Sequence, residues 1–209
     1  MKVVILAGGL GTRISDHSDL PKPMISINGI PIIAHILKIF INQGFNEFII
    51  AVGYKGNIIK KYFEKNFLQN NIQVVDTGLK TLTGNRLKKL KGFLPEENFM
   101  LTYGDGLCNV DLKKLSKFHL NHQKLVTVTA VHPPARFGEL VLKKNNVINF
   151  EEKPQLQKGW INGGFFVFKK EFLDLIPKKQ VMLEREPLKI VVKKKQFMAY
   201  KHNGFWQCM

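Results

Sequence analysis

The sequence predicts an α/β fold in which a mostly parallel central sheet carries helices on both faces and is followed by a more mixed layer. One observation is that apolar runs of strand length alternate with segments of helical periodicity from the second residue onward. Another is that glycines follow several of these runs directly, as at residues 8–11 and 104–106. After about residue 131 the β segments become shorter, so the mixed layer is predicted there.

Each predicted element depends on a local pattern. Residues 2–7 form an unbroken apolar run, which is typical of a strand buried on both faces. Pro31 suits the first position of a helix whose apolar residues recur at helical spacing until Gly44. The remaining predictions are strands at 47–52, 72–75, 98–103 and 125–131, a helix capped by Asn57, a short basic helix near 86, a helix capped by Asp111 and running to about His122, a hairpin at 137–142 and 147–150, a strand at 160–168 bent at its glycines, helices at 170–176 and 187–195, and a strand at 197–200.

Length and composition predict one domain over residues 1–209 of a soluble protein that is 44% hydrophobic and 23% charged. No stretch approaches 18 uncharged apolar residues, so no membrane insertion is expected. The N-terminus lacks the pattern of a signal peptide, and a cytoplasmic location is therefore expected. Cys108 and Cys208 have no metal-ligand spacing, which fits free thiols in a reducing compartment.

The formal net charge of +16 suits a polyanionic partner, and both nucleoside triphosphates and nucleic acids qualify. Lysine pairs are scattered along the chain at positions where helix faces and turns are expected to be exposed to solvent. Because no basic segment is interleaved with aromatic residues, the charge is interpreted as a solvated surface, and no nucleic-acid partner is expected.

The loop after residues 2–7 is predicted to bind an anion. Gly8, Gly9 and Gly11 have no side chains to cover their backbone N–H groups, and Arg13 and Lys22 place two cations near the same loop. The spacing matches neither a Walker loop nor the dinucleotide-binding fingerprint. Taken alone, this pattern also fits a glycine-rich turn beside a solvated arginine.

Asp105 stands between two glycines directly after the predicted strand at 98–103. Such an aspartate lies at the carboxyl edge of a parallel sheet, beside the first loop if the two strands are neighbours. The alternative interpretation is that Asp105 is a turn residue whose side chain accepts hydrogen bonds from the neighbouring backbone.

Together, these motifs resemble the signature of the sugar-phosphate nucleotidyltransferases, in particular its glucose-1-phosphate cytidylyltransferase branch. The resemblance extends over nearly the whole chain. It is carried by residues 6–13, 21–24, 53–56, 75–78, 102–106, 133–138, 152–154, 162–166, 186–188 and 204–207.

The resemblance implies a Rossmann-like nucleotidyltransferase fold, with a nucleotide-binding half at about 1–131 and an acceptor-binding half at about 132–209. It implies transfer of CMP from CTP to a small phosphorylated acceptor, with release of pyrophosphate, for surface-polysaccharide or capsule precursors. It also implies Mg²⁺ as the cofactor and a homo-oligomer.

The resemblance further assigns roles to individual residues. Arg13, Lys22 and Lys153 are expected to be catalytic, with Arg13 and Lys22 neutralising the leaving pyrophosphate and Lys153 gripping the phosphate of the acceptor. Asp105 is expected to bind the metal. The expected substrate-binding residues are Leu6, Gly8, Gly9, Gly11, Thr12, Thr83, Arg86, Tyr103, Gly104, Gly138, Glu152 and Asn162, of which Thr83 and Arg86 lie in the segment that reads the base.

The sequence departs from the family pattern in three places. It is shorter between Phe67 and Val74, and it differs just before Glu186, so a different hexose phosphate or a non-sugar phosphate stays open as the acceptor. The family pattern continues after Met209 with an Asp that completes the metal site, and Phe205 and Trp206 are therefore expected to be exposed or to contact a partner subunit. The alternatives are a catalytically silent nucleotide-binding protein and an enzyme that uses another nucleoside triphosphate.

Overall fold

Strands and helices alternate along residues 1–9, 20–95, 97–133, 138–151 and 159–209, which the computed structural model describes. The strands are β1 (Lys2–Ala7), β2 (Ser26–Ile27), β3 (Ile30–Pro31), β4 (Glu47–Val52), β5 (Asn71–Asp76), β6 (Asn98–Tyr103), β7 (Gly106–Cys108), β8 (Val126–Val131), β9 (Glu139–Lys143), β10 (Asn146–Glu151), β11 (Ile161–Asn162), β12 (Phe166–Lys169), β13 (Phe197–His202) and β14 (Trp206–Cys208). The α-helices are α1 (Ile32–Ile41), α2 (Gly56–Asn66), α3 (Thr83–Lys89), α4 (Leu112–His122) and α5 (Glu186–Lys193).

Eight strands form the central sheet, which is mostly parallel as predicted. Strands β5, β4, β1 and β6 pair in parallel in that order, and β13 pairs in parallel with β8. Strand β12 lies antiparallel between β6 and β8, and β11 is also antiparallel to β8. The carboxyl ends of β1, β4, β5, β6 and β8 therefore meet at one edge of the sheet.

Helices cover both faces of this sheet, because side chains of β1 alternate between two buried clusters. Val3 and Ile5 pack with α1, α2 and α4 on one face. Val4 and Leu6 pack on the other with α3, α5 and the 3₁₀ helix Lys170–Leu175. A strand buried on both sides needs an unbroken apolar run, which is the pattern that residues 2–7 carry.

Several predicted boundaries are corrected by the backbone. Helix α2 begins at Gly56 rather than after an Asn57 cap, since Lys55 precedes it in the left-handed region (φ 47°). Pro31 is the N-cap of α1 rather than its first residue. The segment predicted as one bent strand at 160–168 is split into β11 and β12, because Gly164 (φ 74°) and Phe165 (φ 44°) interrupt the pairing.

Strand β14 was not predicted, and it changes the position expected for Trp206. It pairs antiparallel with β7, so that Trp206 lies opposite Cys108. The Trp206 side chain is half-buried against the core, while Phe205 is exposed. The indole Nε1 donates a hydrogen bond to the Gly163 carbonyl at 2.8 Å.

A directed chain of hydrogen bonds crosses the amino edge of the sheet, opposite the edge with the glycine loops. The amide of Lys124 donates to His122 Nδ1 (2.9 Å), so the proton of neutral His122 is on Nε2, which donates to Thr127 Oγ1 (2.7 Å). The Thr127 hydroxyl then donates to His119 Nδ1 (2.8 Å), and His119 Nε2 donates to Asn98 Oδ1 (3.2 Å). The two bonds accepted by Nδ1 of His119 and of His122 require neutral histidines.

Burial lowers the pKa of His119 to about 4, and the neighbouring His122 and Lys169 act in the same direction. The pKa of His122 is also lowered, first by burial and then by the charges of Lys124 and Lys169, although a backbone hydrogen bond opposes the shift.

In the parts of the chain that the structure describes, no helix is both long and apolar enough to cross a bilayer.

This histidine chain predicts acid sensitivity. In the unfolded chain His119 protonates near pH 6.5, whereas in the folded protein it protonates near pH 4. Its contribution to the free energy of unfolding is therefore fully present above pH 6.5 and is lost as the pH falls from 6.5 to 4. The loss from this fully buried group is on the order of 3 kcal/mol. Urea unfolding at a series of pH values measures it.

His119→Asn places an acceptor where Nδ1 lies and should make the decrease clearly smaller. The matched variant His202→Asn removes a histidine outside the chain of hydrogen bonds and should leave the decrease unchanged. Equal slopes in wild type and His119→Asn would contradict the assignment.

Candidate functional site

The carboxyl edges of β1 and β6 bring the first glycine loop and Asp105 together. The two strands are neighbours with Leu6 opposite Tyr103, and Gly104 N donates to the Leu6 carbonyl at 3.0 Å. A Cβ at position 104 would lie 3.2 Å from that carbonyl and from Pro23 Cγ, so the backbone of Gly104 lies close to Leu6 and Pro23. The two strands are thus neighbours, as the prediction for Asp105 requires, and Asp105 follows a residue that is bonded to the end of β1.

Arg86 is a buried support for three loops at this edge. Its Nη1 donates to the Val52 carbonyl (2.6 Å) and to Thr77 Oγ1. Its Nη2 donates to the carbonyls of Gly8 (3.0 Å), Gly78 (3.2 Å) and Thr81 (2.9 Å). Because these five bonds use all four terminal N–H groups of the guanidinium, Arg86 joins the ends of β1, β4 and β5.

Arg86 is expected in the segment that reads the base, and the structure shows its guanidinium bound to carbonyl groups of the protein. Burial lowers its pKa, and the charge of Asp76 partly opposes that shift. Helix α3 was predicted correctly as short and basic. The Arg86 side chain points into the protein, where carbonyl dipoles compensate the desolvation of its guanidinium.

Glycines make room for this guanidinium. A Cβ at position 8 would overlap the Arg86 guanidinium, and one at position 53 would lie 2.9 Å from the carbonyl oxygens of Gly8 and Gly78. By contrast, an added Cβ at Gly9 would meet no described atom within 4 Å. Gly8 is therefore required for packing, whereas no described atom would contact a side chain at Gly9.

Lys22 and Asp105 form an ion pair in front of the sheet edge. Lys22 Nζ lies 2.6 Å from Asp105 Oδ2 and donates to the Met209 carbonyl at 2.5 Å. Both side chains are partly buried, at 20% and 26% exposure. The Met209 amide in turn donates to the Asp105 carbonyl at 3.1 Å, which extends the β7–β14 pairing to the aspartate.

A polar cluster lies beside Asp105 and contains Tyr103, Thr83, Glu184 and Asn162. The Tyr103 hydroxyl donates to Glu184 Oε1 (2.5 Å), and Thr83 Oγ1 donates to Glu184 Oε2 (2.9 Å). The pKa of Tyr103 is raised, chiefly by burial and then by the charge of Glu184 and its hydrogen bond, while a hydrogen bond from Asn162 opposes the shift. The phenol is therefore a permanent donor near neutral pH.

The other predicted site residues divide into two groups. Gly138 precedes β9, and Asn162 ends β11, where its Oδ1 accepts from Gly164 N at 2.9 Å. The predicted residues Gly11, Thr12, Arg13, Glu152 and Lys153 lie outside the described residues.

A divalent metal fits this site only in combination with ligand oxygens. No cluster of three or more His, Cys, Asp or Glu side chains that could hold a metal ion occurs among the residues with described positions. Asp105 supplies a hard carboxylate at the sheet edge, and such ions commonly take one or two carboxylates together with phosphate and water oxygens. The donor set thus suits a metal that arrives with a phosphorylated ligand.

Two contributors to the site were missed from the sequence. Glu184 lies in the stretch just before Glu186 where the sequence departs from the family pattern, and its partners are 81 and 101 positions away. Trp206 reaches the site only through β14, whose three residues are too few to show alternation.

Comparisons with known proteins agree with this architecture. A family model described as Nucleotidyl transferase matches residues 2–207. The chain is 42% identical over 233 positions to the glucose-1-phosphate cytidylyltransferase of Salmonella typhimurium, with 100% of this chain and 91% of the relative covered. It is 39% identical to a probable glucose-1-phosphate cytidylyltransferase of Bacillus subtilis, with 99% and 90% covered.

A solved structure has the same fold. HddC from Yersinia pseudotuberculosis, complexed with GMP-PN, superposes with a TM-score of 0.77 at 26% identity. The superposition covers 99% of this chain and 92% of HddC.

The packing of Gly8 against Arg86 predicts a sharp difference between neighbouring glycines. Gly8→Ala should lower the free energy of unfolding by roughly 2–3 kcal/mol, because the new methyl group forces Arg86 from its carbonyl partners. Gly9→Ala is the matched control and should change stability by less than about 0.5 kcal/mol. Denaturant unfolding measures both, and equal effects would mean that Arg86 adjusts without cost.

Proposed function

The chain belongs to the nucleotidyl transferase family, and on that premise we propose that it transfers CMP from CTP to a sugar 1-phosphate, with glucose 1-phosphate as the first candidate. The observation that carries this proposal is the 42% identity over the whole chain to a protein named for that reaction. The meeting of the β1 loop, Lys22 and Asp105 at one sheet edge supports it.

The reaction forms one bond and breaks one. A phosphate oxygen of the acceptor attacks the α-phosphorus of CTP, and the bond from that phosphorus to the oxygen bridging to the β-phosphate breaks, so that pyrophosphate leaves. The nucleophile is already an anion and needs no strong base. Positioning and positive charge over the phosphates are therefore the main requirements.

The described residues meet those requirements in part. Backbone N–H groups from residue 8 onward would bind the triphosphate, held in place from behind by Arg86. Lys22 would approach the leaving pyrophosphate from the position it holds beside Asp105. In the same proposal Arg13 and Lys153 supply further charge, and Glu152 and Asn162 contact the acceptor.

Asp105 would hold a divalent cation, and we assign Mg²⁺ because its ligands are carboxylate and phosphate oxygens. The bound ion would neutralise charge on the phosphates during transfer. Asp105 is suited to this role because the backbone on both sides of it is fixed, by Gly104 on β1 and by the β7–β14 pairing.

The choice of cytosine rests on the names of the two cytidylyltransferase relatives. Thr83 and Arg86 support the segment near the base through contacts within the protein. Selectivity is therefore assigned to the backbone of the loops that Arg86 holds, since backbone N–H and carbonyl groups can read the edge of a base.

A substrate panel tests the proposal. Each of the four nucleoside triphosphates is combined with glucose 1-phosphate, mannose 1-phosphate or phosphocholine in the presence of Mg²⁺, and pyrophosphate release is measured. CTP with glucose 1-phosphate should give the highest kcat/KM. CTP binding by calorimetry without pyrophosphate release from any acceptor would instead support a silent nucleotide-binding protein.

The ion pair at the sheet edge gives a second test. Asp105→Asn and Lys22→Ala should each lower kcat by about 100-fold or more, because the first removes the carboxylate that would hold the cation and the second removes a positive charge beside the reacting phosphates. Lys60→Ala removes a lysine that pairs with Glu64 on the exposed face of α2 and should leave kcat unchanged. Normal turnover by Asp105→Asn would reject its role at the metal.

A further inference from the structure

Glu184 connects the two halves of the proposed site through hydrogen bonds that come from distant parts of the chain. Its Oε1 accepts from Tyr103, which ends β6, and its Oε2 accepts from Thr83, which begins α3. The Thr83 hydroxyl also accepts from the Leu183 amide at 2.8 Å. Both carboxylate oxygens and the threonine hydroxyl are thus held in one orientation.

The connection to β6 leads directly to Asp105. Only Gly104 separates Tyr103 from the aspartate, and the close approach of Gly104 to Leu6 and Pro23 leaves this backbone little freedom. The Tyr103 ring is packed edge-on against Phe166, with ring centroids 6.1 Å apart. Tyr103 is therefore held at its ring by Phe166 and at its hydroxyl by Glu184, two positions before Asp105.

The same hydroxyl leads to the acceptor side. Asn162, an expected acceptor contact, forms a hydrogen bond with Tyr103 and accepts one from Gly164 N. The Tyr103 hydroxyl thus lies between Glu184 and Asn162. Fixing it from the Glu184 side leaves the amide of Asn162 oriented for a ligand.

We infer that Glu184 is a positioning residue of the transfer reaction, acting through Tyr103 on the end of β6 that leads to Asp105 and on Asn162. The inference rests on the proposed function. The role requires an acceptor for the Tyr103 hydroxyl and a hydrogen-bond partner for the Thr83 hydroxyl rather than negative charge, because neither partner is a cation. This distinguishes Glu184 from the carboxylates of exposed ion pairs in the described chain, such as Asp174 with Lys91.

The requirement for geometry predicts different results for two substitutions. Glu184→Ala removes both acceptors and should lower kcat 10–100-fold and raise KM for glucose 1-phosphate, in the range seen when supporting hydrogen bonds are removed. Glu184→Gln should stay within about threefold of wild type. Its amide oxygen can accept from Tyr103, while its NH₂ donates to the Thr83 hydroxyl, which has a second lone pair.

A double-mutant cycle with Tyr103→Phe tests whether the effect passes through Tyr103. The cost of Glu184→Ala in kcat should be nearly lost in the Tyr103→Phe background, because the connection is already broken. Thermal unfolding of each variant separates lost stability from lost turnover. Asp174→Ala, which removes a carboxylate that also spans the chain from residue 91 to 174, is the matched control with unchanged kcat.

The outcomes separate the two proposals. Wild type without turnover of CTP and glucose 1-phosphate rejects the proposed function. Wild type with turnover and Glu184→Ala with unchanged kcat rejects the inference, as do additive effects in the cycle. A Glu184→Gln variant as slow as Glu184→Ala would also overturn it, because charge rather than geometry would then be the requirement.

Discussion

The guanidinium of Arg86 is the contact on which the arrangement of this edge depends. A single planar group donates to carbonyls from the ends of β1 and β4 and from the turn after β5. The carboxyl ends of parallel strands leave carbonyl groups without ladder partners, and a buried cation satisfies several at once. The cost of burying its charge is offset only while all these carbonyls stay in place, so the three loops are stabilised as a unit.

From this support the site extends forward in two layers. Directly after β1, the Arg86 guanidinium occupies the space that a side chain at Gly8 would fill. Lys22 and Asp105 lie in front of it as an ion pair, and the Tyr103–Glu184–Thr83 cluster holds β6 from the side. The charged groups that would act on phosphates thus stand on a 3₁₀ helix (Lys22) and on the turn between β6 and β7 (Asp105), both supported by the central sheet.

Much of the fold was predictable because it depends on short-range patterns. Each of these patterns lies within the element that it predicts: the apolar run at residues 2–7, the helical spacing in α1 and the Asp111 cap of α4. The role of Arg86 could not be predicted, since a lysine-rich and arginine-rich short helix equally fits a ligand-facing cation, and its acceptors lie up to 78 positions away. Glu184 was missed for the same reason, whereas β7 and β14 were missed because three residues are too few to show a period.

The pairing of β7 with β14 also bears on when the site can form during folding. Asp105 stands immediately before β7, whose partner strand lies about 100 residues later in the sequence. During synthesis the nucleotide-facing loops and Arg86 can assemble from the first half of the chain, while the segment after Asp105 still lacks its neighbour. On the ribosome the segment after Asp105 therefore gains its partner strand last, and in the proposed function the ends of β1, β4 and β5 would be joined before the proposed metal ligand is held on both sides.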